Sequence, residues 1–167
     1  EGTPEYLEMR PLQAVYFSMV GALIWLTSTT RPDCCASTAV LSRFSHNPAK
    51  KHFTALLRVF LYLHKDAERP LILGGSEDSA ERLMVVTDSS HEEGPSLSGV
   101  FVVMGSAVID WICRRQKFTA RNSTAAEAMA NADGCDDGLY KRELAKELGV
   151  ENLKSPPFLL LLTMSRR

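Results

Sequence analysis

The sequence has 167 residues, of which 45% are hydrophobic and 23% are charged, so it is long enough to bury one hydrophobic core without a metal or disulfide staple. Its formal net charge of -1 excludes binding to nucleic acid through bulk charge, and any such surface has to come from local clusters of Lys and Arg. The first residues lack the basic-then-apolar order of a signal peptide, and the missing initiator Met leads us to expect a fragment or a processed product.

The first part of the chain is predicted to be helical. The apolar segment at residues 11–27 begins with a proline that suits a first helical turn, and its composition predicts a largely buried helix. Gln13 and Ser18 interrupt this segment, which leaves it too short for a membrane span. Asp33 is predicted to cap a second helix at about residues 34–44.

A third helix is predicted at about residues 49–64, because its apolar residues recur at helical spacing. We expect these residues to form one stripe that packs into the core: Phe53, Leu56, Leu57, Phe60 and Leu61.

Strands dominate the next part of the chain. The patterns predict strands at 83–87, 97–104 and 107–113, of which the second and third form a hairpin. A long helix, capped by Asn122 or Ser123 and ended by Gly149, leads to a last strand at 158–163. Three helices followed by β-β-β-α-β predict an α/β chain of the α+β class, with a long crossover helix on one face of a mixed sheet. The change of character after residue 65 predicts a helical segment at 1–66 and a second domain at 67–167.

Two acidic residues stand near the ends of predicted elements. Asp88 follows the first strand, and Glu127 lies in the first turns of the long helix. Carboxylates held at the rim of a sheet are suitable ligands for Mg²⁺, and paired metal ions about 4 Å apart would activate a water against a phosphodiester. Two simpler roles are also open: Asp88 can cap a loop, and Glu127 can interact favourably with the helix N-terminus.

Six segments of this sequence, in this order and spacing, resemble the ribonuclease H region of copia-type retrotransposon polyproteins and the helical connection that precedes it. They are VGALIWLTSTTRPD at 20–33, LSRFSHNPAKKHFTALLRVFLYL at 41–63, VTDSS at 86–90, SLSGVFVVMGSAVIDWICRRQK at 96–117, NSTAAEA at 122–128 and KRELAKELG at 141–149. The resemblance implies an RNase H-like fold and cleavage of RNA in RNA–DNA hybrids by two ions of Mg²⁺ or Mn²⁺. It also implies that Asp88 and Glu127 are catalytic residues and metal ligands.

The sequence departs from the family pattern at the positions that complete this site. The acid expected two residues before Glu127 is Ala125, and the acid expected after the last strand is Met164, which cannot replace an anionic ligand of Mg²⁺. Ser89 and Ser90 follow Asp88 where the family has a second acid and a tryptophan. The final helix, strand and acid of the family fold are missing from the sequence. We therefore expect degenerate catalysis.

A basic segment lies between the third strand and the long helix. Arg114, Arg115, Lys117 and Arg121 have no acid among them, and next to a metal site they would hold the phosphates of a hybrid or of another nucleic acid. The alternative is a solvated segment that keeps the edge of the sheet soluble.

A non-catalytic binding or interaction protein on the same scaffold is the rival to a nuclease. The four cysteines show no metal-binding spacing and indicate a reducing, intracellular compartment, either cytoplasmic or nuclear, although secretion after loss of a signal peptide stays open. A protein partner is possible, no membrane association is expected, and the apolar run at 158–162 predicts self-association through the C-terminal strand.

Overall fold

The computed structural model describes Pro4 and residues 10–74, 83–90 and 94–150, together with the backbone of residues 161–163. The chain divides into two compact units, Glu1–Leu71 and Ile72–Arg167. Helices make up the first unit, and a sheet with one long helix makes up the second, so the predicted α+β class is confirmed. The functional separation of 1–66 from 67–167 stays a prediction.

Three α-helices form the first unit. They are α1 at Gln13–Thr29, α2 at Cys35–Ser42 and α3 at Lys50–Lys65, with short 3-10 turns at Arg10–Leu12 and Pro32–Cys34. The three predicted helices are therefore confirmed, with bounds that differ from the prediction by a few residues.

The core of the first unit is built on one stripe of α1. Tyr16, Val20 and Leu23 are buried there, and they pack in one cluster with Leu41 of α2 and Leu56 of α3. The hydroxyl of Tyr16 donates a hydrogen bond of 2.9 Å to the Leu41 carbonyl, which satisfies the one polar group of a fully buried side chain.

The rest of α1 is more exposed than its sequence predicts. Phe17 is 61% exposed and Trp25 is 68% exposed, so the expectation of a largely buried helix was wrong. The two other helices of this unit, α2 and α3, cover only one side of α1. The prediction that this segment is too short for a membrane span was wrong, because the helical stretch Arg10–Thr29 is long and apolar enough to cross a membrane, a test that core helices of soluble proteins and signal sequences also pass.

The apolar stripe of α3 is shifted from the predicted one: Phe53, Leu56 and Phe60 belong to both, and Leu63 replaces Leu57 and Leu61. Leu56 and Leu63 are buried and Phe53 and Phe60 pack against the same core, whereas Leu57 is 43% exposed and Leu61 is 58% exposed. The buried positions follow i, i+3, i+7 and i+10, a spacing that the sequence allowed equally well.

Asp33 does not cap α2, so that prediction was also wrong. Its carboxylate accepts a two-pronged hydrogen bond from Arg31, at 3.0 and 2.8 Å, and a third of 2.7 Å from the hydroxyl of Tyr62. Arg31 is only 6% exposed, and it also donates to the carbonyl of Asp66 at the end of α3. The Asp33 carboxylate therefore neutralises a buried cation that ties the start of α2 to the end of α3.

A four-stranded sheet organises the second unit. Its strands are β1 at Leu83–Ser90, β2 at Leu97–Met104, β3 at Ala107–Arg115 and β4 at Leu161–Thr163, in the order β3-β2-β1-β4. β1, β2 and β3 are antiparallel neighbours, and β4 lies parallel to β1. The mixed sheet is therefore as predicted, although residues 158–160 of the predicted last strand lie outside the described residues.

One long helix, α4 at Ser123–Glu147, connects β3 with β4. The side chain of Asn122 accepts a hydrogen bond of 2.8 Å from the backbone N–H of Ala125, as the sequence predicts for an N-cap. Just beyond its C-terminal end, Gly149 has a φ of 80°, which glycine adopts without strain. The buried positions of α4 are all Ala or Gly: Ala126, Ala130, Gly134, Gly138 and Ala145.

Candidate functional site

The contacts of α4 identify the face of the sheet that it covers. Thr87 of β1 is fully buried and its hydroxyl donates a hydrogen bond to the side-chain oxygen of Asn131 on α4. Gln116, just after β3, donates 3.0 Å to the hydroxyl of Ser98 on β2 and 2.8 Å to the carbonyl of Ala126 on α4. Thr87 and Ser98 therefore point toward the helix.

Asp88 lies on the opposite face of the sheet from these residues. It directly follows Thr87, and it pairs with Gly99, which directly follows Ser98. Successive side chains of a strand point to opposite faces, and β1 and β2 pair without irregularity from Leu83 to Ser90. The half-buried carboxylate of Asp88 therefore points away from α4.

Glu127 lies near the same end of the sheet but on the helix side. It is one helical turn before Asn131, which contacts Thr87, and it directly follows Ala126, which accepts from Gln116. The helix then continues toward the other end of β3, where Lys141 meets Asp110. The structure therefore places Asp88 and Glu127 at the same end of the sheet but on opposite faces of it.

This arrangement does not by itself fit a divalent metal ion. An ion that uses both carboxylates needs them on one side of the strand layer, within the short ligand distances of Mg²⁺. In the part of the chain that the structure describes, no three His, Cys, Asp or Glu side chains come together to hold a metal. Met164, at the position of the third family acid, lies outside the described residues. The roles of Asp88 and Glu127 as metal ligands stay predictions.

Charged residues join α4 to β3 in a row that the sequence analysis missed. Asp133 binds Arg114 at 2.7 Å, Lys141 binds Asp110, and Asp137 lies between these two pairs. Burial, followed by the charge of Asp110, raises the pKa of Asp137. The signal for this row was the spacing of four residues from Asp133 to Asp137 to Lys141, which places all three on one helix face.

The four basic residues of the predicted nucleic-acid site differ in their surroundings. Arg114 is bound to Asp133, whose hydrogen bond raises the pKa of the guanidinium. Arg115, Lys117 and Arg121 are exposed, and none of them forms an ion pair with a described carboxylate. Among the described residues, a carboxylate therefore neutralises one of the four charges, that of Arg114.

Several known proteins are similar to this chain. It is 30% identical over 139 residues, 81% of its length, to the retrovirus-related Pol polyprotein from transposon TNT 1-94 of Nicotiana tabacum. It is 30% identical over 146 residues, 85% of its length, to the corresponding polyprotein from transposon RE1 of Arabidopsis thaliana. The chain spans 10% of the length of each of these two polyproteins.

A third relative is of similar size to this chain. The secreted RxLR effector protein 161 of Plasmopara viticola is 30% identical over 129 residues, which cover 75% of this chain and 89% of the effector. No protein-family model matches the chain. No solved structure matches it either.

Proposed function

Because the chain belongs to the family of copia-type retrotransposon Pol polyprotein regions, we propose that it is an RNase H-like domain with its preceding helical connection, derived from such a polyprotein. The ancestral activity of this domain was metal-dependent cleavage of RNA in RNA–DNA hybrids. In this chain the scaffold is retained and the cleavage is lost.

The topology of the second unit supports the RNase H-like assignment. Three antiparallel strands, a long helix and a strand parallel to the first follow one another in the chain. This is the mixed sheet with a crossover helix that the resemblance implies. Asp88 directly follows Thr87, the last β1 residue that pairs with β4, so it lies just beyond the parallel pairing and toward the carboxyl end of β1, the side where ligands bind in sheets with parallel neighbours.

The proposed loss of cleavage rests on the positions of Asp88 and Glu127, which lie on opposite faces of the sheet. Ala125 and Met164 replace the further acids of the family pattern, so neither side of the strand layer gains a second carboxylate from those positions. Phosphodiester hydrolysis by this route requires metal-bound water beside the scissile phosphate. The described residues do not bring together the carboxylates that this step needs.

A hybrid-cleavage assay tests the proposal. A labelled RNA–DNA hybrid is incubated with the chain and with Asp88→Asn, in Mg²⁺ and in Mn²⁺. We expect no cleavage that depends on Asp88. If the unmodified chain cleaves the hybrid and both Asp88→Asn and Glu127→Gln abolish this cleavage, the proposal that activity is lost is wrong.

Calorimetric titration of Mn²⁺ provides a second readout that does not depend on turnover. We expect the same heats for the unmodified chain and for the Asp88→Asn and Glu127→Gln variants. Tight binding that both substitutions abolish would mean that the two carboxylates share an ion, which contradicts the geometry described above.

We further propose that the basic segment keeps a nucleic-acid surface after cleavage is lost. Arg115, Lys117 and Arg121 can bind phosphates through charge and counterion release. We expect the unmodified chain to bind an RNA–DNA hybrid in a salt-sensitive way. The double variant Arg114→Glu/Arg115→Glu is expected to bind it more weakly. Unchanged affinity would assign the segment to keeping the sheet edge soluble.

A second candidate function is that of a non-catalytic interaction protein. The secreted effector supports it, because the match covers 89% of that protein and places this scaffold in a chain of comparable size. The two candidates differ in what they bind. The interaction protein is favoured over a nucleic-acid-binding domain if the chain binds neither an RNA–DNA hybrid nor a single strand while circular dichroism shows that it is folded.

A further inference from the structure

A cleft lies between the end of β3 and the first half of α4. Its volume is about 340 Å³, and its walls come from Arg114, Arg115, Lys117 and Phe118 on one side and from the α4 face around Met129 on the other. Pockets that hold small molecules start at about 300 Å³, so this cleft is large enough for one base and its sugar and too small for a duplex.

The charges that line the cleft favour a polyanion. Asp133 accepts hydrogen bonds from both Nε and Nη2 of Arg114, at 3.4 and 2.7 Å, and Asp136 is a second acid in the lining. Arg115 and Lys117 are exposed at the cleft, and neither is ion-paired within the described part of the chain. The Arg115 Nε donates a hydrogen bond of 3.4 Å to the Pro95 carbonyl, which orients its guanidinium.

Phe118 is 70% exposed although the chain on both sides of it is fixed. Gln116 is 6% exposed, and it is held by backbone and side-chain hydrogen bonds to Ser96, Ser98 and Ala126. Ala120, two residues after Phe118, is also 6% exposed. The two anchors leave the aromatic ring outside, in the lining of the same cleft as Arg115 and Lys117. Because a ring in this position buries little apolar surface, its contribution to stability is small.

We infer that this cleft binds single-stranded nucleic acid, with one base stacked on Phe118 and the adjacent phosphates held by Arg115 and Lys117. Cations beside an aromatic platform are the arrangement with which proteins bind single strands without strong sequence preference. A duplex offers phosphates but keeps its base faces stacked, so it cannot use the ring. An acidic peptide would use the cations and leave the ring without a partner.

This inference rests on the proposed nucleic-acid surface and specifies its ligand as a single strand. Fluorescence anisotropy with labelled oligothymidylate, its RNA counterpart, an RNA–DNA hybrid and a polyglutamate peptide tests it. For the single strands we expect Phe118→Ala to weaken binding by about 5- to 150-fold, because stacking contributes about 1–3 kcal/mol per base. Phe118→Trp retains binding, since its ring offers a larger stacking surface.

Tyr140→Ala is the matched control, because Tyr140 is an aromatic residue of α4 that is 63% exposed and is not part of the cleft. It is expected to leave affinity unchanged. Arg115→Gln is expected to weaken binding and to reduce the slope of log affinity against log salt by about 0.7, the value for one phosphate contact with a single strand.

The outcomes separate this inference from the proposed function. If the chain binds the hybrid as tightly as the single strands, and Phe118→Ala has no effect, the single-strand inference is overturned. The proposal that the basic segment binds a hybrid would then stand. Polyglutamate bound as tightly as nucleic acid would overturn it in favour of an acidic partner. No binding of any nucleic acid by the folded chain would overturn both the inference and the nucleic-acid surface, while the result of the cleavage assay would stand.

Discussion

The guanidinium of Arg31 is the most deeply buried charge among the described residues, and its partners determine what its loss would cost. Its side chain is 7% exposed, and it meets the Asp33 carboxylate and the Asp66 carbonyl. Arg31→Ala is expected to lower the free energy of unfolding by about 3–5 kcal/mol, because it leaves the Asp33 carboxylate without its neutralising partner. Urea denaturation followed by circular dichroism measures this change.

Arg142 provides the control for that substitution. It pairs with Glu143 at 3.1 Å, with exposed fractions of 34% and 55% for the two side chains. Arg142→Ala is expected to cost less than about 1 kcal/mol, because solvent screens exposed pairs. Equal losses for the two variants would mean that burial does not determine the importance of Arg31.

The same cluster predicts a pH dependence of stability. The hydrogen bonds from Arg31, followed by that from Tyr62, lower the pKa of Asp33 from 3.8 to about 2. A carboxyl whose pKa is lower in the folded state contributes its full stability above the unfolded value and loses it as the pH falls through the folded value. The free energy of unfolding should therefore fall as the pH is lowered from 3.8 toward about 2. Asp33→Asn should remove this part of the dependence; an identical profile for that variant would contradict the assignment.

At the scale of elements, α4 lies against the sheet through small side chains. Ala126 and Ala130 are fully buried where the helix meets β1 and β2. Ala130→Leu is expected to destabilise the second unit by about 1–3 kcal/mol, because the added atoms have no space between helix and sheet. Ala128→Leu adds the same atoms on the exposed side of the helix and should change the unfolding midpoint little. Chemical denaturation of the two variants compares them directly.

The two ends of α4 could be predicted from local signals, whereas the buried faces of several elements could not. Asn122 and Gly149 mark the two ends of α4 because a cap and a left-handed turn need particular side chains. On α3, the predicted stripe and the observed one share Phe53, Leu56 and Phe60, and only the position of the neighbouring helices decides that Leu61 remains exposed.

The candidate site shows even more clearly that the sequence does not determine which face a side chain occupies. The sequence predicted that β1 ends at Thr87, which would leave Asp88 free to turn toward the helix. The strand continues to Ser90, so the pleat of the sheet fixes the direction of Asp88. The extension depends on pairing with β2, a contact that no local pattern around Asp88 contains. Sequence reasoning therefore located both acids and could not assign their faces.

At the scale of the whole molecule, the two units have separate cores and one tryptophan each. Tyr16, Leu23 and Leu56 belong to one hydrophobic cluster, and Val85, Val100 and Val102 belong to the other. We expect a substitution in one core to shift the unfolding of its own unit. In a Trp25→Phe background, Trp111 fluorescence reports on the second unit.

In that background, Arg31→Ala should lower the midpoint of the helical loss that circular dichroism detects for the first unit and leave the Trp111 midpoint in place. Ala130→Leu should lower the Trp111 midpoint. A common shift of both signals in either variant would show that the chain unfolds as one cooperative unit, contrary to this expectation.

The pairing of β1 with β4 sets the order in which the protein can form as it leaves the ribosome. β2, β3 and the whole of α4 are synthesised between these two neighbouring strands. The helices of the first unit need no later segment for their core, so they can fold while the sheet is still incomplete. Until β4 emerges, the edge of β1 at Val85–Thr87 is open to any other extended chain. This edge of β1 therefore stays unpaired throughout the synthesis of the longest helix.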